Sequence, residues 1–163
     1  PIMSRTGHSY IKSKIIETNA LLGGEMSGHI FFNDDWYGFD DAIYSALRMI
    51  EILSKNKIKP HEVFNSYPKD FSTPEINLKV SEENKFKVID ELKTLIDSSL
   101  YELIDIDGIR LENENSWGLV RASNTSPNLV LRFEGKTESD LLEIKNYFKV
   151  ILSKIEFDLQ LDF

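Results

Sequence analysis

Apolar side chains recur at the spacing of an α-helix in four parts of the chain. This spacing predicts helices over about residues 8–18, 39–55, 82–98 and 137–154. The second helix has one continuous apolar stripe, formed by Phe39, Ala42, Ile43, Ala46, Leu47, Ile50 and Leu53. In the other three, the positions expected to face inward are Ile11 and Ile15, then Phe86, Ile89, Leu92 and Ile96, then Leu141, Ile144, Phe148, Ile151 and Ile155. Each predicted helix is therefore amphipathic.

Polar residues at the predicted helix starts support these boundaries. Asp40 and Asp41 fall in the first turn of the second helix, where acidic side chains interact favourably with the helix dipole. Ser81 is placed to cap the third helix. Thr137 and Asp140 resemble a capping box at the start of the fourth, with Asp in place of the usual Glu.

Short apolar runs between the helices predict strands. Residues 20–32 read as a short strand, a glycine-rich turn and a second short strand. The alternation of Ile76, Leu78 and Val80 predicts a further strand. Four more strands are expected near residues 101–105, 108–113, 116–121 and 128–134.

A proline-containing stretch divides the chain. Residues 57–74 contain Pro60, Pro68 and Pro74 and little periodicity, so we interpret them as a connection. We predict two domains, 1–68 and 69–163. Short strands with interposed helices give the first an α/β fold. The second is predicted to be α+β, a mainly antiparallel sheet with two helices on one face.

Charge and composition restrict the possible partners. Residues 1–71 carry 8 basic and 9 acidic side chains, and residues 72–163 carry 11 and 18, for a net charge of −8. Neither half has a basic surface, which argues against nucleic acid and anionic membranes as partners. No run of about 18 apolar residues is present to span a membrane. The absence of cysteine excludes thiolate chemistry and fits a reducing compartment, so we expect a cytoplasmic protein.

The first candidate site lies in the glycine-rich segment 23–29. Glu25, Ser27 and His29 alternate, so they would project to one side of an extended segment. A carboxylate, a hydroxyl and an imidazole together can accept from and donate to sugar hydroxyls. A tight turn with solvated polar residues is the alternative. A metal site formed by Glu25, His29 and His8 is a further alternative, although no spacing rule supports it.

The second candidate site is Arg121 to Pro127, a loop between two predicted strands. The Arg121 guanidinium matches the geometry of phosphate oxygens, and Ser123, Asn124 and Thr125 add donors. Turn amides can also form an anion nest. The alternative is an ordinary polar hairpin turn.

The third candidate site is Thr6-Gly7-His8-Ser9, just before the first helix. Its backbone amides could face an anion, and His8 could exchange a proton near neutral pH. The alternative is a simple helix cap.

These motifs occur in one order and spacing along the chain: Thr6-Gly7-His8-Ser9-Tyr10-Ile11-Lys12, Gly24-Glu25-Met26-Ser27-Gly28-His29, Tyr37-Gly38-Phe39-Asp40-Asp41-Ala42 and Arg121-Ala122-Ser123-Asn124-Thr125-Ser126-Pro127. The series resembles the C-terminal part of the α-D-phosphohexomutase superfamily, and most of all its bacterial phosphomannomutase/phosphoglucomutase branch. Phosphoglucosamine mutases, the alternative, usually carry Gln at the position of Met26 and a Pro-Ser-Gly-Thr phosphate loop.

The resemblance implies where this chain lies in a four-domain enzyme. It would hold the end of the third, sugar-binding α/β domain and all of the fourth, phosphate-binding domain. Glu25, Ser27 and His29 would contact the sugar, and His8 would lie near the site of phosphoryl transfer. The phosphate that is not reacting would be held by Arg121, Ser123, Asn124 and Thr125.

The resemblance also implies an isomerase reaction. A phosphoserine donates phosphate to a mannose or glucose phosphate, giving a hexose 1,6-bisphosphate, and phosphate then moves between C6 and C1 with Mg²⁺ bound. The family's serine loop, Thr-Ala-Ser-His-Asn-Pro, and its metal loop, Asp-Gly-Asp-Gly-Asp-Arg, are absent here. We therefore expect a fragment without a metal site that is inactive alone and partners the N-terminal domains of the same enzyme. A stand-alone phosphosugar-binding module is the alternative.

Overall fold

The structure, a computed structural model, describes residues 1–56, 59–157 and 159–163. It divides into two compact units, Pro1–Pro68 and Lys69–Phe163. Lys57 and Ile58, the first residues of the predicted connection, lie outside the described residues. Among the helices of the described ranges, none is both long and apolar enough to cross a bilayer.

Over its described residues, the first unit combines three helices with a two-stranded antiparallel sheet. Its elements in chain order are α1 (His8–Thr18), β1 (Leu22–Gly24), β2 (Ile30–Phe32), α2 (Ala42–Asn56) and α3 (Pro60–Asn65). β1 pairs with β2, and Ile11, Ile15 and Phe31 form a small buried cluster. The predictions of α1, of its inward-facing isoleucines and of the glycine-linked strands are confirmed.

The α2 helix begins later than predicted because Asp41 is its capping residue. The Asp41 carboxylate accepts a hydrogen bond from the Tyr44 N–H (2.9 Å). Asp41 therefore precedes the helix instead of lying in its first turn. The predicted apolar stripe is largely exposed, since Ile43 is 78%, Leu47 59% and Ile50 58% exposed.

In residues 69–157 and 159–163, the second unit is a six-stranded antiparallel sheet with two helices. Its elements are β3 (Phe71–Ser72), β4 (Ile76–Lys79), α4 (Lys85–Thr94), β5 (Glu102–Ile104), β6 (Ile109–Glu112), β7 (Ser116–Ala122), β8 (Asn128–Gly135) and α5 (Glu138–Leu152). The strand order is β3-β8-β7-β6-β5, and β4 also pairs with β8. The predicted α+β fold is confirmed.

Both helices of this unit bury apolar side chains against one face of the sheet. The register of the strands aligns Ile109, Val120 and Leu131 across three neighbours. Together with side chains from α4 and α5 they form one buried cluster, which includes Phe148. The predicted capping box of α5 is present, because Thr137 and Asp140 bond to each other's backbone N–H groups.

The edge of the sheet next to β8 is interrupted at Pro74. The Thr73 N–H donates to the Phe133 carbonyl (3.0 Å), and the Thr73 hydroxyl accepts from the Phe133 N–H (3.1 Å). The Thr73 hydroxyl thus replaces a backbone carbonyl as the acceptor for a strand N–H. The next residue, Pro74, has no N–H to continue the pairing. β3 and β4 are the two parts of this interrupted edge.

Three predictions for residues 57–98 are wrong, and one of them is the cap of α4, which is Asn84 and not Ser81. The supposed connection contains α3 and β3. A helix of six residues is too short to show periodicity, although Pro60 at its first position is typical of a helix start. Phe86 is 58% exposed, because the inward stripe of α4 runs through Lys85, Val88, Ile89 and Leu92.

Candidate functional site

The loop between β1 and β2 is a tight turn. The Gly28 N–H donates to the Glu25 carbonyl (3.0 Å), and the Glu25 N–H donates to the His29 carbonyl (2.9 Å). Gly28 has a φ of +93°, which glycine adopts readily and other residues rarely do. Ser27 lies inside this turn, so the expected extended alternation of Glu25, Ser27 and His29 is wrong.

The Glu25 carboxylate lies at the start of α1. Its Oε1 accepts a hydrogen bond from the Gly7 N–H (2.6 Å), and Gly7 is the capping residue of the helix. Negative charge is favourable at this end of a helix because the backbone N–H groups there lack helical partners. Two of the candidate motifs therefore meet here, with His8 exposed at the first helical position.

His29 is paired with Asp40. Its Nδ1 donates to Asp40 Oδ2 (2.6 Å), and Asp40 Oδ1 accepts from the Ile30 N–H (3.3 Å). The hydrogen bond to Asp40, followed by the charge of that carboxylate, raises the pKa of His29 above 6.5, and Glu25 adds a smaller increase. The sequence pattern placed Asp40 in a helix turn and gave no sign of its pairing with His29.

The alternative of a metal site is not supported by the geometry. In residues 1–56, 59–157 and 159–163, no three His, Asp or Glu side chains converge to hold an ion. Glu25 and His29 instead form hydrogen bonds with Gly7 and Asp40, respectively.

The loop between β7 and β8 is organised around the Ser123 hydroxyl. Ser123 is 6% exposed, and its Oγ accepts from the Thr125 N–H (3.3 Å), the Ser126 N–H (3.2 Å) and the Ser126 hydroxyl (2.8 Å). Asn124 and Thr125 are exposed at the tip. The structure thus brings these candidate residues together on one short loop.

Arg121 enters this loop from β7 on the helix-free face of the sheet. Its Nη1 is buried and has no hydrogen-bond partner in the part of the chain that the structure describes. A buried guanidinium N–H without an acceptor is costly, so the position favours an anion. A planar guanidinium is well matched to the oxygens of phosphate.

Gly108, in the turn between β5 and β6, packs against the backbone of Arg121. Its φ is +83°, and a Cβ added to it would lie 2.7 Å from the Arg121 Cα and 2.4 Å from the Val120 carbonyl oxygen. Only glycine fits at this distance. The turn therefore fixes the strand position from which the Arg121 side chain projects.

Lys85 also belongs to the site, although no sequence motif marked it. It is 2% exposed, and its Nζ donates to the Ser123 carbonyl (2.8 Å). A signal was available, because Lys85 precedes Ile89 by four and Leu92 by seven residues and so shares their face of the helix.

Known protein families match both units. The family described as "Phosphoglucomutase/phosphomannomutase, alpha/beta/alpha domain III" matches residues 1–71. The one described as "Phosphoglucomutase/phosphomannomutase, C-terminal domain" matches residues 75–149. The chain belongs to the phosphoglucomutase/phosphomannomutase family. The resemblance stated from the four motifs is confirmed.

Individual members of the phosphoglucomutase/phosphomannomutase family align over nearly the whole chain. A phosphomannomutase/phosphoglucomutase of Pseudomonas putida is 52% identical over 99% of this chain and 35% of its own length. A phosphoglucomutase of Neisseria meningitidis is 49% identical over 93% of this chain and 33% of its own. The chain therefore spans about a third of the length of these relatives.

A solved structure from the same family has the same fold. The crystal structure of a phosphoglucomutase/phosphomannomutase family protein from Burkholderia thailandensis matches with a TM-score of 0.86 and 42% identity. The match covers 98% of this chain and 34% of that one. A probable phosphoglucosamine mutase of Methanosarcina barkeri is more distant, at 30% identity over 85% of this chain and 31% of its own length.

Proposed function

We propose that this chain is the substrate-binding C-terminal portion of a phosphohexomutase that interconverts hexose 6-phosphate and hexose 1-phosphate. The observation that carries the proposal is the buried, unpartnered Nη1 of Arg121, which holds within the described part of the chain. Relatives at 49–52% identity named for phosphomannose and phosphoglucose chemistry support this substrate class over phosphoglucosamine.

Arg121 and the tip residues Asn124 and Thr125 hold the phosphate that is not reacting. Ser123 organises the loop through its oxygen and keeps one hydroxyl hydrogen to donate. A phosphate held at a fixed point keeps the sugar in position while the reacting groups align, which lowers the entropic cost of the transfer.

The turn between β1 and β2 in the first unit hydrogen-bonds to the hydroxyls of the sugar. Glu25, Ser27 and His29 offer a carboxylate, a hydroxyl and an imidazole, which together accept from and donate to ring hydroxyls. His8 lies near the transferring phosphate. The reaction requires the sugar to bind in two orientations, with C1 or C6 reacting.

The chemical step needs groups from elsewhere in the enzyme. The phosphoserine and the Mg²⁺ ligands belong to the N-terminal domains, and a hexose 1,6-bisphosphate is the intermediate. The described residues of this chain do not form a metal site, and their role is to bind and orient the substrate. The chain alone is inactive, and the reaction is cytoplasmic. Hexose-phosphate isomerisation by this polypeptide in a coupled assay would contradict that assignment.

Calorimetric titration with mannose 1-phosphate and glucose 1-phosphate tests the proposal. Arg121→Ala is expected to weaken binding by about 10- to 100-fold, since it removes hydrogen bonds to a charged group. Arg110→Ala is the matched control, because it removes the same charge from the same sheet face while its guanidinium already pairs with Glu112 (2.7 Å). Equal binding by wild type and both variants would refute the phosphate site.

A further inference from the structure

Lys85 is a buried cation whose donors are all occupied by the loop and its own helix start. Its Nζ donates to the Ser123 carbonyl (2.8 Å) and the Ser126 carbonyl (3.4 Å), and it pairs with Glu82 Oε1 (2.5 Å). Lysine is almost never fully buried unless it is paired in this way. An ammonium has three donors, and these three acceptors use them.

Contact with Lys85 determines which way the loop peptides face. In a trans peptide the carbonyl and the next N–H point in opposite directions, and the described chain has no cis peptides. Because the Ser123 carbonyl points to Lys85, the Asn124 N–H points away from it. Ser126 precedes Pro127, which has no N–H to turn outward.

The Asn124 N–H is also the one left over after the loop's internal bonds are made. The N–H of Ser123 donates to the Asn128 carbonyl (2.9 Å), and those of Thr125 and Ser126 donate to the Ser123 hydroxyl. For Asn124, the hydrogen bonds of the described residues include no acceptor. An exposed amide of this kind is a ready donor to an anion.

We propose that Lys85 is a positioning residue for phosphate binding. By holding two carbonyl oxygens beneath the loop, it turns the Asn124 N–H outward as a donor to the phosphate that Arg121 grips. It also keeps those carbonyl oxygens from facing the anion. Glu82 balances its charge, so Lys85 acts by orienting peptides and not as a source of net positive potential. This inference rests on the proposed function.

The test is an NMR titration of the isotope-labelled 163-residue chain with glucose 1-phosphate, following the Asn124 amide and the Arg121 Nε–H. In the wild type both signals are expected to shift and saturate together. Lys85→Met, which keeps the apolar stem and removes the donors, is expected to weaken binding about tenfold and to reduce the Asn124 shift. Lys87→Met, an exposed position on the same helix, is the matched control and should bind within about twofold of wild type.

The outcomes separate this inference from the proposed function. If Lys85→Met folds and keeps wild-type affinity and the Asn124 shift, while Arg121→Ala loses binding, Lys85 has no positioning role. The same conclusion follows if the wild-type Arg121 signal responds to ligand and the Asn124 amide does not, a reading that needs no variant to fold. If neither wild-type signal responds, the phosphate site itself is wrong. Should Lys85→Met not fold, Lys85→Gln replaces it, with a smaller loss of affinity expected.

Discussion

The loops that carry the candidate residues are supported by hydrophobic cores of different size in the two units. In the second unit, the Arg121 loop is attached to β7 and β8, whose inward side chains belong to a large buried cluster. In the first unit, the Glu25 turn is attached to two three-residue strands, and the buried cluster consists of Ile11, Ile15 and Phe31. The Glu25 turn is therefore fixed mainly by polar contacts at partly exposed positions.

This difference indicates how each candidate site keeps its geometry. The Arg121 loop is held by packing beneath it, through Gly108, and by a buried ammonium, Lys85. The Glu25 turn is held by charged hydrogen bonds to Gly7 and between His29 and Asp40. Mutations that alter packing should therefore disturb the Arg121 loop, and changes of charge or pH should disturb the Glu25 turn.

The largest effect is expected from Phe148→Ala. Phe148 is fully buried and contacts Phe133 at 5.3 Å between ring centroids, so its removal should destabilise the second unit by about 3–5 kcal/mol. Phe86→Ala, on the exposed side of α4, should change stability by less than about 0.5 kcal/mol. Urea denaturation measures both. Equal losses in the two variants would show that the core does not dominate this unit.

An intermediate effect is expected from Gly108→Ala. A methyl group there overlaps the Val120 carbonyl and the Arg121 backbone at a positive φ, which should cost about 2–4 kcal/mol and lower phosphate affinity. Gly28→Ala, at the glycine of positive φ in the Glu25 turn, meets no atom within 4 Å and should cost only about 1 kcal/mol of backbone strain. Thermal melts and ligand titrations of both variants measure these losses. A larger loss of stability or phosphate affinity in Gly28→Ala than in Gly108→Ala would contradict the prediction.

The smallest effect is a change of titration in the first unit. His29 has a raised pKa, so the His29–Asp40 contribution to stability is fully present below pH 6.5 and is lost as pH rises through the folded value. Asp40→Asn should lower the pKa of His29 toward 6.5, as NMR titration of the imidazole would show. Glu25→Gln should lower it less. A larger decrease in Glu25→Gln than in Asp40→Asn would contradict the assigned pairing.

Much of the fold could be predicted because periodicity and capping agree. In α5, the Thr137 capping box and the buried Ile144 and Phe148 give the same answer, and the structure has the helix at Glu138–Leu152. The α3 helix was missed because six residues do not establish a period. The burial of the α2 stripe does not follow from its pattern, since Ile43 and Leu47 are exposed in this chain.

The candidate site was less predictable because its geometry depends on contacts between distant residues. The positive φ at Gly28 and the approach of Gly108 to Arg121 leave no periodic signal. Lys85 has the spacing of an inward position but the chemistry of a surface residue, and the two loop carbonyls to which it donates lie 38 and 41 residues away in the chain. Local patterns thus identify which residues carry donors and acceptors, but the contacts that orient them arise only on folding.

The interruption at Thr73 and Pro74 affects whether another molecule can add a strand to this edge of the sheet. An outer strand with a continuous row of free N–H and C=O groups invites a strand from another molecule to add to it. Here the Thr73 N–H is turned inward to Phe133, and Pro74 has no N–H to offer outward. An incoming strand would meet a gap midway along this edge, which makes the edge a poor template for strand addition.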